Sequence, residues 1–230
     1  MSAADDYTRH WDEKFRSRAW GRYPPEDLVR FMGRRFRNAE KGSVRVLEVG
    51  CGPGANVWFL HREGYAVSAI DVSPAAIDLA GERLRRENKD LGSPEADLRV
   101  GNFATLPWPD RHFDVVVDIF ALYANTVDVL TKALAEIARV LKPGGLLYTK
   151  QWGTRTTGYG SGKALEPGTF DAIPEGPCAG MGVSHFFDRG EVERVFGRFF
   201  APVAIDTVLR SDVAAEQQLE ELQCQFRKAP

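Results

Sequence analysis

The residues best suited to ligand binding lie in a glycine-rich segment and in an aspartate that follows it. The segment Glu48–Gly54 (Glu-Val-Gly-Cys-Gly-Pro-Gly) joins an apolar run to a helix-like stretch. Glycine lets a ligand approach the backbone, and a helix that starts there has free N–H groups for a phosphate or a carboxylate. Asp71 follows about 20 residues later, where a carboxylate can accept both hydroxyls of a ribose. Because Gly50-x-Gly52-x-x-Ala55 also fits the dinucleotide fingerprint, nicotinamide and sulfonium nucleotides both remain open at this point.

One histidine is a candidate catalytic group. His185 follows a glycine-rich stretch, and an imidazole titrates near neutral pH, so it could take a proton from a hydroxyl acceptor. A structural histidine beside Phe186 and Phe187 is an equally open interpretation. The three cysteines are far apart and the four histidines are scattered, so the sequence predicts no disulfide framework and no metal site.

Strands and helices alternate through the middle of the chain. Apolar runs predict strands at residues 44–49, 65–71, 97–100, 113–117 and 146–150. Helical patterns lie between these strands. The first covers about residues 55–63, and the second begins at Pro74, after Ser73 as its N-cap. The third has its last apolar position at Leu141, directly before Lys142-Pro-Gly-Gly145. This alternation predicts an α/β fold with a parallel, doubly wound sheet that binds ligands at the carboxyl ends of its strands.

Two segments lie outside this alternation. Residues 1–40 are rich in aromatic side chains and arginines and predict one or two helices. Residues 152–184 hold eight of the 22 glycines, and we expect them to form a wall of an acceptor pocket, with a flexible surface loop as the alternative. A helix at 189–196 and a strand at 203–208 should follow, while residues 215–226 fit either a helix or a strand.

Five motifs in order resemble the class I S-adenosylmethionine-dependent methyltransferases. They are Val46–Gly54, Ala69-Ile-Asp-Val-Ser73, Gly101-Asn-Phe-Ala-Thr-Leu-Pro107, Phe113-Asp-Val-Val-Val-Asp118 and Arg139-Val-Leu-Lys-Pro-Gly-Gly145. The resemblance covers about residues 44–150. It implies a Rossmann-like, mostly parallel sheet with a closing antiparallel hairpin, in which residues 222–226 form the last strand. It also implies an enzyme that moves the methyl group of S-adenosylmethionine to an O, N or S atom of a small-molecule acceptor and leaves S-adenosylhomocysteine.

The resemblance assigns cofactor contacts to named positions of this chain. The loop residues Gly50, Cys51, Gly52 and Gly54 would face the methionine part of the cofactor. Asp71 and Val72 would contact the ribose, and Asn102 and Phe103 the adenine. The family usually has an aspartate where this chain has Asn102, whose amide oxygen can still accept a hydrogen bond. Asp118 and Phe120 would lie beside the sulfonium.

The N-terminal segment is similar to one found in thiopurine and tellurite methyltransferases. The shared residues are Trp11-Asp-Glu-Lys-Phe15 and Trp20-Gly-Arg-Tyr-Pro24. The similarity implies that residues 1–40 form a helical lid with Trp11 against the cofactor, on a methyltransferase domain of residues 41–230. Packing of Trp11 and Phe15 on the sheet, one helical turn apart, is the alternative.

Two other classes of protein remain as alternatives. A nicotinamide-dependent dehydrogenase would explain the loop and Asp71, but not the Lys-Pro-Gly-Gly turn. A non-catalytic S-adenosylmethionine-binding module would keep both features and lack an acceptor pocket. The formal charge of −2, from 30 Lys and Arg against 32 Asp and Glu, disfavours a nucleic-acid partner. No apolar run is long enough for a membrane span and no signal peptide is recognisable, so we expect a cytoplasmic protein, monomeric or homodimeric.

Overall fold

Ten strands form in the part of the chain that the computed structural model describes, residues 3–89 and 92–229. They are β1 (Arg45–Val49), β2 (Ala66–Asp71), β3 (Asp97–Val100), β4 (Phe113–Ile119), β5 (Leu141–Trp152), β6 (Lys163–Glu166), β7 (Thr169–Asp171), β8 (Ser184–His185), β9 (Ala201–Asp212) and β10 (Gln217–Arg227). Seven of them make one sheet in the order β3-β2-β1-β4-β5-β10-β9. Strands β1 to β5 are parallel, and β10 pairs antiparallel with β5 and β9. The predicted Rossmann-like sheet with a closing antiparallel hairpin is confirmed.

Within residues 3–89 and 92–229, six helices accompany the strands. They are α1 (Ala3–Ser17), α2 (Glu26–Arg35), α3 (Ala55–Arg62), α4 (Pro74–Glu87), α5 (Val127–Val140) and α6 (Arg189–Phe196), with a 3-10 turn at Lys41–Ser43. The predicted cap of α4 is present, because the Ser73 hydroxyl accepts a hydrogen bond from the Ala76 N–H at 3.1 Å. Helix α5 ends one residue earlier than its apolar spacing predicts, since Leu141 pairs with Phe113 in the sheet.

Both faces of the central strands are buried, which explains why most residues of these strands are apolar. Along β4 the side chains alternate between two core clusters, with Val116 in one and Val115 and Val117 in the other. Helices α1, α5 and α6 contribute to the first cluster. Helix α2 contributes to the second, where Phe31 stacks on Tyr148 with ring centroids 4.6 Å apart. Segment 1–40 therefore contributes one helix to each face of the sheet.

The glycine-rich segment 152–184 is folded rather than an open loop. Strands β6, β7 and β8 form a small antiparallel sheet, and the side chains of Ile173 and Cys178 are buried in the first core cluster. Sequence periodicity missed these strands because they are two to four residues long and are separated by glycine turns. Among the described residues, no helix is long and apolar enough to cross a membrane.

Candidate functional site

A cavity of about 440 Å³ opens at the carboxyl ends of β1, β2, β4 and β5. Its wall includes eight of the residues predicted to bind a cofactor: Trp11, Gly50, Cys51, Gly52, Asp71, Val72, Phe103 and Phe120. Gly54, Asn102, Asp118 and His185 are outside this lining. The volume lies in the range of small-molecule sites, and the position is where open α/β sheets bind their ligands.

Glycine is required in the loop by close packing as well as by backbone conformation. Gly50 has φ +65°, and a Cβ there would lie 2.2 Å from the Cβ of Ala121. Gly54 has φ +79°, and a Cβ there would lie 2.7 Å from the Cβ of Ala80 in α4. Gly50 thus shapes the cavity wall, whereas Gly54 lets α3 begin against α4.

Asp71 ends β2 with its carboxylate held by backbone donors. The Gly52 N–H donates to Oδ2 and the Ser73 N–H to Oδ1, each at 2.9 Å. Each oxygen keeps a lone pair for a further donor such as a hydroxyl. Burial raises the pKa of Asp71 to about 6, and the hydrogen bonds only partly oppose this effect.

Glu48 and Asn56 place two unpartnered oxygens in the wall of the cavity. The Asn56 amide donates to Glu48 Oε1 at 2.7 Å, while Glu48 Oε2 and Asn56 Oδ1 are buried without a hydrogen-bond partner. Burial, together with the charges of Asp118 and Asp71, raises the pKa of Glu48 to about 8, although the hydrogen bond from Asn56 lowers it. Two unpartnered acceptors beside buried carboxylates suit a cationic donor. Sequence reasoning named Glu48 as part of the loop motif but did not predict that it contacts a ligand. The one sequence signal for such a contact is an acidic residue near the end of an otherwise mainly apolar strand.

Asp118 lies behind the cavity wall. Its Oδ1 accepts hydrogen bonds from the N–H groups of Ala121 and Leu122, at 2.9 and 3.1 Å. Its Oδ2 accepts from Thr149 Oγ1 at 2.5 Å and from Gln151 Nε2 at 2.6 Å. Burial raises its pKa to about 6 despite these donors. Asp118 therefore fixes the turn after β4, in which Phe120 adopts φ +55°.

The two residues predicted to bracket adenine have different positions. Phe103 is buried and lines the cavity. Asn102 is exposed, and its side-chain oxygen accepts a hydrogen bond from the Ala104 N–H at 2.8 Å. Asn102 therefore stabilises the turn after β3 in this arrangement.

Helix α1 covers the cavity and is attached to the loop after β2. Its residues Tyr7, Trp11 and Phe15 line the cavity. The Asp12 carboxylate accepts hydrogen bonds from Ser73 Oγ at 2.7 Å and from the Ala75 N–H at 2.8 Å, so α1 helps to cap α4. Because the Ser73 N–H donates to Asp71, this contact joins α1 to the predicted ribose site.

Aromatic side chains form the end of the cavity nearest β4 and β5. Phe120 stacks on Trp152 with ring centroids 4.0 Å apart and an angle of 17° between the planes. Tyr123 meets Trp152 edge-on at 6.4 Å. From segment 152–184, Pro177 and Met181 join Trp152 in the lining. Sequence reasoning missed Tyr7, Tyr123 and Trp152, because only the folded sheet brings them together.

His185 is placed away from the cavity lining. Its side chain is 1% exposed, with Nδ1 2.6 Å from Thr169 Oγ1 and Nε2 3.3 Å from Glu191 Oε2. Its backbone N–H donates to the Tyr123 carbonyl at 2.8 Å. The surroundings of His185 resemble those of a packed structural histidine, and its catalytic role stays a prediction.

The fold is that of the class I S-adenosylmethionine-dependent methyltransferases. A 1,6-didemethyltoxoflavin-N1-methyltransferase from Burkholderia thailandensis, solved with bound 1,6-didemethyltoxoflavin and S-adenosylhomocysteine, superposes with a TM-score of 0.64 at 19% identity, over 100% of this chain and 92% of that one. A likeness at that identity shows the fold alone.

Sequence comparisons give further evidence on the kind of domain in this chain. Residues 46–145 match the family model described as a methyltransferase domain. A demethylmenaquinone methyltransferase of Tropheryma whipplei is 38% identical over 102 residues, 44% of this chain and 39% of the relative. A tRNA N(3)-cytidine methyltransferase of Gallus gallus is 30% identical over 115 residues, 48% of this chain and 31% of the relative. The chain thus spans about a third to two fifths of these relatives, and residues 46–145 form a methyltransferase domain, which confirms the predicted resemblance.

Proposed function

We propose that this protein transfers the methyl group of S-adenosylmethionine to a small-molecule acceptor. The main support is the pair of unpartnered buried oxygens, Glu48 Oε2 and Asn56 Oδ1, in a cavity that Asp71 also lines. S-adenosylmethionine carries an ammonium and a sulfonium, and both suit this acidic wall. The named Tropheryma and Burkholderia methyltransferases add support for the activity.

The residues around the cavity fit the parts of the cofactor. Glu48 and Asn56 would accept hydrogen bonds from its amino group, and the free N–H groups at the start of α3 would bind its carboxylate. Asp71 would accept the ribose hydroxyls, and Phe103 would pack on the adenine. When bound, the cofactor supplies a methyl group activated by its sulfonium leaving group.

The chain's own contribution to the reaction is alignment and exclusion of water. An in-line displacement on an activated carbon needs the nucleophile, the methyl carbon and the leaving sulfur in a line, which is a proximity effect. Trp11 would present its ring to the positive charge, and α1 would cover the site. Asp118 would act by holding Phe120 in place, through its hydrogen bonds to the turn after β4.

The alternatives have less support. A dinucleotide would bring its two phosphate charges to a loop beside Asp71, where charge repulsion opposes binding. A nucleic-acid acceptor, as the name of the Gallus relative describes for that protein, would meet a chain with a net charge of −2 and a cavity with Arg18 as its single basic lining residue among those described. A non-catalytic module would leave the aromatic end of the cavity without a use.

Calorimetry and a transfer assay test this proposal. Purified protein should bind S-adenosylhomocysteine in the micromolar range or tighter and should not bind NADH at the same concentration. Incubation with S-adenosylmethionine and pooled small aromatic compounds should yield S-adenosylhomocysteine above the background of a no-acceptor control. Binding of NADH in place of S-adenosylhomocysteine would contradict the proposal.

A further inference from the structure

Strand β9 forms one end of the seven-stranded sheet and leaves an open edge. Within the described part of the chain, β9 pairs with β10 in this sheet and with no other strand. Natural edge strands are commonly blocked by prolines or bulges, because an open edge can pair with another strand. In β9 these features are confined to its start, at Pro202 and at the irregular pairing with Gln225 and Phe226. Residues 204–212 are paired regularly, so their outer edge can accept a further strand.

The contacts of β10 show which backbone groups of β9 face this edge. The Thr157 N–H donates to the Gln218 carbonyl at 2.8 Å. The Gly153 N–H donates to the Glu220 carbonyl at 2.7 Å. Gln218 and Glu220 therefore face away from β9, and because direction alternates along a strand, the residues next to them bond to β9. The bonded pairs are Leu219 with Arg210, Glu221 with Val208, and Gln223 with Asp206.

The intervening residues of β9 direct their backbone groups outward. Thr207 and Leu209 lie between the bonded residues, so their N–H and C=O groups point to the open edge. The Ile205 carbonyl, next in this series, accepts a hydrogen bond from Arg189 Nη1 at 2.7 Å, which agrees with the outward direction. The outward groups of Thr207 and Leu209 form no hydrogen bond within the described residues. The edge thus offers two donors and two acceptors to another strand.

The side chains beside these groups are self-complementary in charge. Asp206 and Arg210 are exposed on one face of β9, with Val208 between them. They are about 13 Å apart along an extended strand, and neither side chain forms an ion pair or hydrogen bond with another described residue. Val208 and Leu209 are 41% and 44% exposed. An antiparallel copy of the strand reverses the order of the two charges, so each charge meets its opposite.

We propose that β9 pairs antiparallel with β9 of a second copy of this chain, about a two-fold axis at Val208. In this register Asp206 of each copy lies opposite Arg210 of the other copy. Thr207 lies opposite Leu209, and the outward N–H and C=O groups of these two residues form the hydrogen bonds between the copies. The contact uses the same strand of both copies, as a two-fold dimer requires, and the two seven-stranded sheets become continuous.

Other registers lose this complementarity. A shift of one residue between the two strands sets outward-directed groups opposite groups that are already bonded to β10. Centred on Thr207, the pairing leaves both charges opposite uncharged residues, and centred on Leu209 it sets Asp206 opposite Asp212, where like charges repel. Centred on Ser211, it matches opposite charges but runs past the end of β9 into the following turn. The pairing about Val208 is therefore the one that satisfies backbone and charges together.

The proposed contact is separate from the methyltransferase site. Strand β10 lies between β9 and β5, whose carboxyl end reaches the cavity at Trp152. None of the described cavity-lining residues belongs to β9. Binding of S-adenosylhomocysteine should therefore be the same in the monomer and in the dimer. A result on the dimer leaves the proposed function untouched, and failure to bind S-adenosylhomocysteine would contradict the proposed function alone.

Sedimentation velocity over a series of protein concentrations tests the association. We expect the wild type to form a dimer that weakens as the salt concentration rises, because its ion pairs are exposed. Asp206→Arg sets like charges opposite each other at both ends of the contact, as does Arg210→Asp. Each single substitution should weaken the dimer at least about tenfold. The double variant Asp206→Arg, Arg210→Asp exchanges the charges and should regain the wild-type association.

A mixture of the two single variants gives a second readout of charge complementarity. The Asp206→Arg copy carries two arginines on its edge, and the Arg210→Asp copy carries two aspartates. The mixture should therefore form a heterodimer, although each variant alone is weakened. Calorimetric binding of S-adenosylhomocysteine to each variant confirms that the substitutions leave the fold intact.

Val208→Cys tests the register. The two introduced thiols would meet at the two-fold axis, in a pair without backbone hydrogen bonds whose Cβ atoms lie about 4.5–5.5 Å apart, so mild oxidation should link the copies. Leu209→Cys is the matched control, because Leu209 is similarly exposed but faces Thr207 of the other copy, and it should cross-link much less. The three native cysteines are buried and do not compete.

Three results would overturn the inference. The first is a wild-type chain that sediments as a monomer at every concentration. The second is a dimer that keeps its wild-type affinity in Asp206→Arg and in Arg210→Asp, since such a dimer uses another surface. The third is equal cross-linking of Val208→Cys and Leu209→Cys, which would exclude the register about Val208.

Discussion

Glu48 should make cofactor binding depend on pH. Burial raises its pKa to about 8 in the free protein, so at pH 7 the side chain is mainly protonated. A cofactor ammonium beside Oε2 favours the carboxylate, because opposite charges in a buried site attract. Binding at pH 7 therefore includes removal of a proton, whose cost is about 1.4 kcal/mol for a pKa one unit above the pH.

The size of this effect follows from the same pKa. Affinity for S-adenosylhomocysteine should rise about tenfold between pH 7 and pH 9, and each binding event at pH 7 should release about 0.9 proton. Calorimetry in two buffers with different heats of ionisation counts the protons released. In Glu48→Gln, which keeps the amide contact to Asn56 possible, the proton release and the rise in affinity should both disappear.

Stability of the free protein gives an independent check on Glu48. Its pKa in the fold lies above the ordinary value of 4.5, so its stabilising contribution is complete below pH 4.5 and is lost as the pH rises through about 8. Thermal unfolding should show this loss of stability between pH 4.5 and pH 8 in the wild type and in the control Glu82→Gln, whose side chain is exposed. The loss of stability over the same pH range should be smaller in Glu48→Gln. Proton release that is the same in Glu48→Gln and in the wild type would refute the reasoning.

Three further substitutions have defined outcomes. Asp71→Ala should weaken binding of S-adenosylhomocysteine by up to roughly a hundredfold in calorimetry, because ribose hydroxyls lose a buried acceptor; unchanged affinity would contradict the ribose site. Asp12→Ala removes the contact of α1 to Ser73 and Ala75, so it should lower stability in thermal unfolding by about 1 kcal/mol and should weaken cofactor binding. The stability and affinity of Asp12→Asn should lie between those of Asp12→Ala and the wild type. His185→Gln should lower turnover about a hundredfold and change its pH profile if His185 is a base, and should leave the pH profile unaltered if it only packs beside Thr169.

The central sheet could be predicted because its signals are local. The strands before Val49 and Asp71 are buried on both faces and read as apolar runs, and the Ser73-Pro74 cap marks the start of a helix. The sequence placed Leu141 in the helix, whereas Leu141 begins β5; its apolar side chain fits the end of a helix and the start of a strand equally well. The strands of segment 152–184 have no such signal, because β8 is only two residues long.

The geometry of the glycine loop could be predicted where the backbone conformation requires glycine. A glycine at Gly50 is required both by a positive φ and by contact with Ala121, so its type reveals its place. Side-chain direction is a different matter. Asp118 and Phe120 are two residues apart, yet the first is hydrogen-bonded behind the wall and the second lies in it. Motif position alone could not separate these roles.

The surroundings of His185 could not be predicted from its residue type, and its catalytic role stays a prediction. A general base was sought by residue type, and His185 has the right type and follows the right segment. The fold brings its backbone, rather than its ring, to the cavity residue Tyr123, and fills the space around the imidazole with Thr169 and Glu191. Trp152 lies beside Tyr123 at the aromatic end of the cavity, and these two side chains meet only once the strands are assembled. The sequence signals that could be interpreted thus concern the glycine loop and Asp71, whereas the aromatic residues at the other end of the cavity come together only in the fold.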